Sequence, residues 1–272
     1  MSGQLLHQLL CRQLHTQHLE ETWFVFGGYP IRFCLAEFAT VTGLNCSPYP
    51  SDDVVRKATV HSHGNSPYWY KLIGGTIGAT TVSDIVAWLK ADPAIPPWRK
   101  FRLALIVLVE GIMLCQTQPV KPSIEVVEIV KNVHFFLNYP WGRHAFSRTL
   151  RMIKVGNHIT STASLVTKLN QFSLAVHGFP LAIQLHAFNY IPLLLRHLPH
   201  ADEHFTFLDQ HIKTLSKLKS YHTSNILQVE YNPLVSLTSS NFISFLSLSH
   251  TILITASLFT ATCSPSCSPY RR

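Results

Sequence analysis

Charge is scarce in this chain. Asp, Glu, Lys and Arg make up 13% of its 272 residues, roughly half the usual ~25% of a globular protein. Acid is scarcer than base, 14 Asp and Glu against 22 Lys and Arg, which leaves a net charge of +8 with histidine neutral. That excess favours acidic partners such as nucleic acid or an anionic surface, but it is modest for the length and an ordinary basic surface is the better account of it. A disulfide framework is also lacking. Of the six cysteines, Cys11, Cys34, Cys46 and Cys115 are widely spaced in apolar or turn contexts, and Met1–Leu10 has no secretory pattern. The thiols therefore read as reduced, in nucleus or cytosol. Cys263 and Cys267 form a C-x3-C pair without the second pair of ligands that a zinc site needs.

Two short motifs invite chemistry and lack what it requires. Gly74-Gly75-Thr76-Ile77-Gly78-Ala79 is glycine-rich ahead of a helical stretch, but a phosphate loop needs a second glycine at the right spacing, then a lysine for the phosphates and a hydroxyl for the metal. Neither the glycine nor the lysine is there. His61-Ser62-His63 offers two imidazoles and no nearby third ligand. No cofactor and no metal site is expected, and no catalytic residue is assigned.

What is present is helix-forming apolar sequence. Leu5, Leu6, Leu9, Leu10 and Leu14 share a helical face behind a cap at Ser2. Thr22–Phe26 and Ile31–Phe33, joined by Gly27-Gly28-Tyr29-Pro30, read as a β-hairpin over about 22–33. Leu35–Thr42 is a short helix stopped by Gly43. Its cap position holds Cys34 in place of Ser or Thr, with Glu37 at the far end of a would-be capping box. Residues 47–67 read as loop. A helix over 84–90 takes Ser83 as its cap. Trp98–Cys115, opened by Pro96 and Pro97, is apolar nearly all round and is expected to be the central buried helix. Glu110 inside it reads as a paired structural group rather than a catalytic acid. Ile124–Leu137 reads as one amphipathic helix, as does 143–155; 164–176 and 181–198 read as two more apolar helices, the last kinked at Pro192. Asp202–Lys219 is a further candidate.

The helix beginning at Arg143 is the most basic in the chain. Arg148, Arg151 and Lys154 fall at i, i+3 and i+6 and share a face, with Arg143 a turn earlier. Arg143, Arg148, Arg151 and Lys154 are the candidate nucleic-acid contacts, gripping phosphates without a helix-turn-helix or zinc-finger context. A solvated cationic face is the competing account.

From Asn232 to Tyr270 there is no Asp, Glu, Lys or Arg. Residues 242–263 are long enough to cross a membrane, and Arg271-Arg272 would suit a tail anchor. The segment contains His250 and many hydroxyls, so its hydrophobicity is borderline, and translated non-coding sequence is the other account of it.

The blocks WFVFGGYPIRFCLAEFATVTGLNC, TVSDIVAWLK, PPWRKFRLALIVLVEGIMLC and KPSIEVVEIVKNVHFFLNYPWGRHAFSRTLRMI resemble a plant domain of unknown function. That domain occurs in transposon-derived proteins, often ahead of a Ulp-type (SUMO-protease-like) cysteine protease domain. The resemblance runs from about Ser2 to Pro199. Members usually carry Ser where this chain has Cys34, and usually have chain upstream of SGQLLHQLL. The resemblance implies no catalytic residues for this region. The associated protease uses a His, Asp, Cys triad with a Gln for the oxyanion, and that set is not found here.

The expected architecture is mainly α with a small β-hairpin near the N-terminus: a single helical domain over 1–200, an amphipathic helix or linker over 201–231, and an irregular C-terminal tail over 232–272. The expected role is a non-catalytic interaction module with an unidentified protein partner and no small-molecule substrate, a remnant of a transposon-derived plant protein. The alternatives are nucleic-acid association, a tail-anchored membrane protein through 242–263, and a cysteine hydrolase.

Overall fold

A computed structural model describes residues 3–59, 68–115, 118–156, 159–171, 176–197 and 221–232. The expected cap at Ser2, the His61/His63 pair, the helix over 202–219, the segment 242–263 and the Cys263/Cys267 pair lie outside the described residues.

The fold is mainly helical with a small antiparallel sheet near its start. Helix α1 (Gly3–Cys11) buries Leu5, Leu6, Leu9 and Leu10. The sheet has three strands, β1 (Gln13–Leu14), β2 (Glu21–Phe26) and β3 (Tyr29–Cys34), in that order. The hairpin is as expected, but the polar run after α1 adds an edge strand, in which Gln13 pairs with Phe24 and Leu14 with Trp23. Strand β2 alternates strictly, with Thr22, Phe24 and Phe26 inward. The buried Thr22 hydroxyl is matched by Gln13, whose Nε2 donates to it at 2.7 Å. Gly27 and Gly28 both take positive φ, the requirement of a two-residue hairpin turn. Pro30 fits β3 because β3 is an edge.

Helix α2 (Leu35–Thr42) follows directly and ends in left-handed Gly43. Residues expected as loop instead form α3 (Asp52–Thr59), which buries nothing and carries an exposed Asp53–Arg56 pair. Helix α4 (Tyr68–Leu72) inserts Trp69 and Leu72. Helix α5 (Val82–Ala91) is capped by Thr81 rather than Ser83. Asp84 closes a reciprocal box with it; Thr81 and Asp84 stand three residues apart, as the box requires.

Helix α6 (Pro97–Leu108) runs into a π-turn, Val109–Met113, closed by the i→i+5 bond from Leu114 N–H to the Val109 carbonyl. The extra residue in that turn swings Glu110 into the interior, where its Oε1 accepts the Ser123 N–H at 2.8 Å. This helix is not buried all round. Trp98, Phe101, Leu108 and Ile112 face outward while Leu103, Leu105, Ile106 and Val109 form the core face.

The single helix expected over 124–137 is two, α7 (Ile124–Ile129) and α8 (Val133–Asn138), because Asn132 turns out of helical geometry and caps the second through Phe135 N–H. Helix α9 (Trp141–Ile153) is the longest. Then come α10 (Thr162–Leu169) and α11 (Leu181–Tyr190), followed by a 3-10 turn, Pro192–His197. Pro192 ends α11 rather than kinking it, because it offers no N–H to continue the ladder. Helix α12 (Thr223–Glu230) packs on α1 and on the 3-10 turn, burying Ile226 and Val229. It is pinned by a bidentate ion pair, Arg12 Nε and Nη2 to the Glu230 carboxylate at 2.8 and 2.6 Å. The core is continuous from α1 to α12, and at its centre Phe33, Phe38, Phe146, Phe179 and His186 meet edge-on or tilted.

Candidate functional site

Helix α9 supplies one wall of the site. Its apolar face (Ala145, Phe146, Thr149, Leu150, Ile153) is held inside, and its N-terminus is clamped by a close approach at Gly142. A Cβ there would lie 2.7 Å from Cys46 Sγ and 2.8 Å from the Asn45 carbonyl oxygen. The Gly142 N–H donates to that same carbonyl at 2.9 Å. The loop 44–47 is thereby fixed beside α9, and Arg143 Nε reaches the Ser47 carbonyl at 2.7 Å.

The four candidate cations do not act as one face. Lys154 is buried. It follows the last helical residue, in extended backbone, so it leaves the helix surface. Its Nζ donates to the Thr16 hydroxyl at 2.6 Å and the Thr16 carbonyl at 3.1 Å. Burial pushes its ammonium pKa down, against the pull of Glu21. Arg143 is tethered to the loop. Arg148 and Arg151 converge on His144, whose pKa is pushed down to about 4 by burial and then by these two guanidiniums. Beside them sits Tyr49, within reach of Ser147, Arg143 and Arg151, its ring edge-on to His144 with centroids 6.3 Å apart.

The opposite wall comes from the sheet and α2. Leu19, Glu20, Glu21, Cys34 and Leu35 face Arg143, Phe146, Leu150, Arg151 and Lys154 across a cleft of about 380 Å³. Glu21 accepts the Trp23 indole N–H at 2.9 Å. Cys34, the N-cap of α2, carries the Glu37 half of the capping box, since its N–H donates to Glu37 Oε2 at 2.9 Å. Arg32 braces the same carboxylate at 2.9 Å. Burial pushes the Glu37 carboxyl up, but its bonds to Cys34 and Arg32 outweigh burial and leave the pKa below the usual value. Burial and then Glu37 push the Cys34 thiol up, against weaker help from the Ala36 and Glu37 N–H groups.

The cleft therefore combines an apolar floor with carboxylates on one wall and guanidiniums on the other. Its one thiol is disfavoured as a thiolate, the form that reacts. Among the described residues that line it there is no histidine. Elsewhere Cys11 lies 3.7 Å from His7 Nε2, but that nitrogen donates to the Leu169 carbonyl at 2.8 Å and burial pushes the thiol up. Burial does the same at Cys46. Among the described residues no group of three His, Cys, Asp or Glu is placed to hold a metal. Among them, too, no helix is long and apolar enough to cross a membrane.

Reasoning from sequence found Arg143, Arg148 and Arg151 but missed Glu20, Glu21, Cys34, Tyr49 and Ser147 as their neighbours. Only the packing of α9 against α2 and against the loop around Asn45 and Cys46 brings these together, and no local spacing encodes it.

The family model described as a domain of unknown function, DUF1985, matches residues 10–152. The match covers more than half of the chain and runs from the end of α1 almost to the end of α9. The chain belongs to the DUF1985 family. No curated protein and no solved structure matches it. The DUF1985 match takes in both walls of the cleft as far as Arg151, whereas α10, α11 and α12 pack on that body from outside the matched residues.

Proposed function

We propose that this DUF1985 domain is a non-catalytic interaction module that receives a segment of a partner protein in the cleft between α9 and the sheet. One observation carries the reading: opposite charges stand on opposite walls of an apolar-floored cleft, Glu20 and Glu21 against Arg143 and Arg151. A polyanion entering there meets two carboxylates, whereas a peptide with mixed charge and an apolar anchor over Phe146 and Leu150 satisfies both walls. The raised Cys34 thiol pKa supports docking over cysteine chemistry. In this reading the chain acts in nucleus or cytoplasm and descends from a mobile-element protein of plants.

The test is a photo-crosslinking amino acid at position 147, in the full chain, in cells. The expected adduct is protease-sensitive and nuclease-resistant, and it diminishes in Arg143→Glu. A nuclease-sensitive adduct, or none, contradicts the reading.

The Arg148 and Arg151 guanidiniums near His144, with the Tyr49 ring edge-on to that imidazole, favour a second reading, nucleic acid held at the outer edge of α9. It requires affinity that falls steeply with salt and a shallower salt slope in Arg148→Glu and Arg151→Glu. Binding indifferent to salt removes it.

A further inference from the structure

Helix α6 presents an apolar stripe that the interior does not use. Trp98 is 41% exposed, Phe101 49%, Leu108 47% and Ile112 52%. Phe101 and Leu108 stand at i and i+7 on α6, within roughly 20° of one another around the helix, and Ile112 continues the outward face on the π-turn that follows. Large apolar side chains gathered along one line, rather than scattered singly, mark a contact surface.

The charged side chains that meet Trp98 at the head of the stripe are basic. The Lys71 ammonium and the Arg102 guanidinium lie 5.7 and 5.9 Å from the Trp98 ring centre, and Lys100 is exposed on the same helix. Helix α6 itself carries no carboxylate. The carboxylates on neighbouring elements are oriented by backbone N–H groups, which leave their charge in place. Asp84 caps α5, Asp92 accepts the Ala94 N–H, Glu110 accepts the Ser123 N–H and Glu128 accepts the Tyr68 N–H. Glu125 lies towards Tyr49 and Tyr139 instead.

We infer that the α6 stripe is a docking surface for an acidic amphipathic helix of a partner protein. Apolar residues repeating every third or fourth position would lie along Phe101, Leu108 and Ile112. Asp and Glu on the flanks would meet Lys71, Lys100 and Arg102. This mode is recognition of one helix by the apolar face of another, with charge setting orientation. It is independent of the cleft beside α9.

The full chain is titrated with a synthetic helical peptide of about 18 residues, long enough for five turns. The peptide carries Leu at i, i+4, i+7 and i+11 with Glu on both flanks, and dye anisotropy reports binding. Saturable binding is expected. It weakens by about tenfold or more in Ile112→Ser, in Leu108→Ser and in the Lys71→Glu, Lys100→Glu pair. A Lys-flanked peptide with the same Leu pattern binds at least about tenfold more weakly. Arg143→Glu leaves the titration unchanged, which separates this surface from the α9 cleft. Equal binding of both peptides, or binding of neither, overturns the inference. So does concentration-dependent dimerisation that Ile112→Ser abolishes, which would assign the stripe to a second copy. Adsorption to phosphatidylserine vesicles without peptide binding would assign it to a membrane surface and overturn it as well.

Discussion

Lys154 shows how little a residue's charge says about its place. Its spacing put it on the surface with Arg148 and Arg151, yet its ammonium is spent on Thr16 inside the body. Lys154→Ala removes two hydrogen bonds from a charged group, each worth about 1.5–3 kcal/mol at most. The expected result is a loss of about 2 kcal/mol in urea unfolding, with no change in any salt-dependent binding. His144 gives the second prediction at this scale. Its folded pKa is about 4 and its unfolded value is about 6.5. Above pH 6.5 both states are neutral and the stabilising difference is fully present. As pH falls from 6.5 towards 4 the unfolded chain takes up the proton first, and stability declines by roughly 2 kcal/mol after solvent screening. His186, also pushed down by burial, moves in the same direction. The His144 share is therefore the difference in acid sensitivity between the wild type and His144→Gln, which is expected to unfold less steeply with falling pH.

Elements were legible wherever the signal was local. The β2–β3 hairpin followed from alternation and the Gly27-Gly28 turn, and α2 from its apolar face and Gly43. At position 34 a sulfur stands in for the usual hydroxyl in the reciprocal box with Glu37, and sulfur is the weaker acceptor. Cys34→Ser is thus expected to stabilise α2 by about 0.5–1 kcal/mol, measured as a higher urea midpoint at unchanged slope. Elements failed where geometry is set by contacts distant in sequence. Strand β1 exists because β2 offers it an edge, not because Gln13-Leu14 is strand-like. The outward face of α6 could not be told from its inward face, since both are apolar and only packing on α5 and the π-turn chooses between them. Asn132 did carry a readable signal, as a cap residue in mid-helix that divides α7 from α8. The cleft was the least legible feature, because its walls come from residues more than a hundred positions apart.

As a whole the molecule is one core, and α12 completes it beyond the DUF1985 match. A chain ending at residue 220 loses Ile226, Val229 and the partner of Arg12. Breaking a mostly buried bidentate pair by removing one member costs about 3–5 kcal/mol. The truncated chain is accordingly expected to show a lower thermal midpoint than the full chain, with Glu230→Ala falling between the two. On the same scale, the cleft between α9 and the sheet is proposed to be a docking surface rather than a reaction centre. The most direct test is the pH dependence of Cys34 alkylation in the native full chain, resolved by mass spectrometry of its own peptide. The account predicts a midpoint above that of an ordinary thiol, ~8.5. A midpoint below neutrality, with Cys34 reacting faster than the unfolded chain, would contradict it.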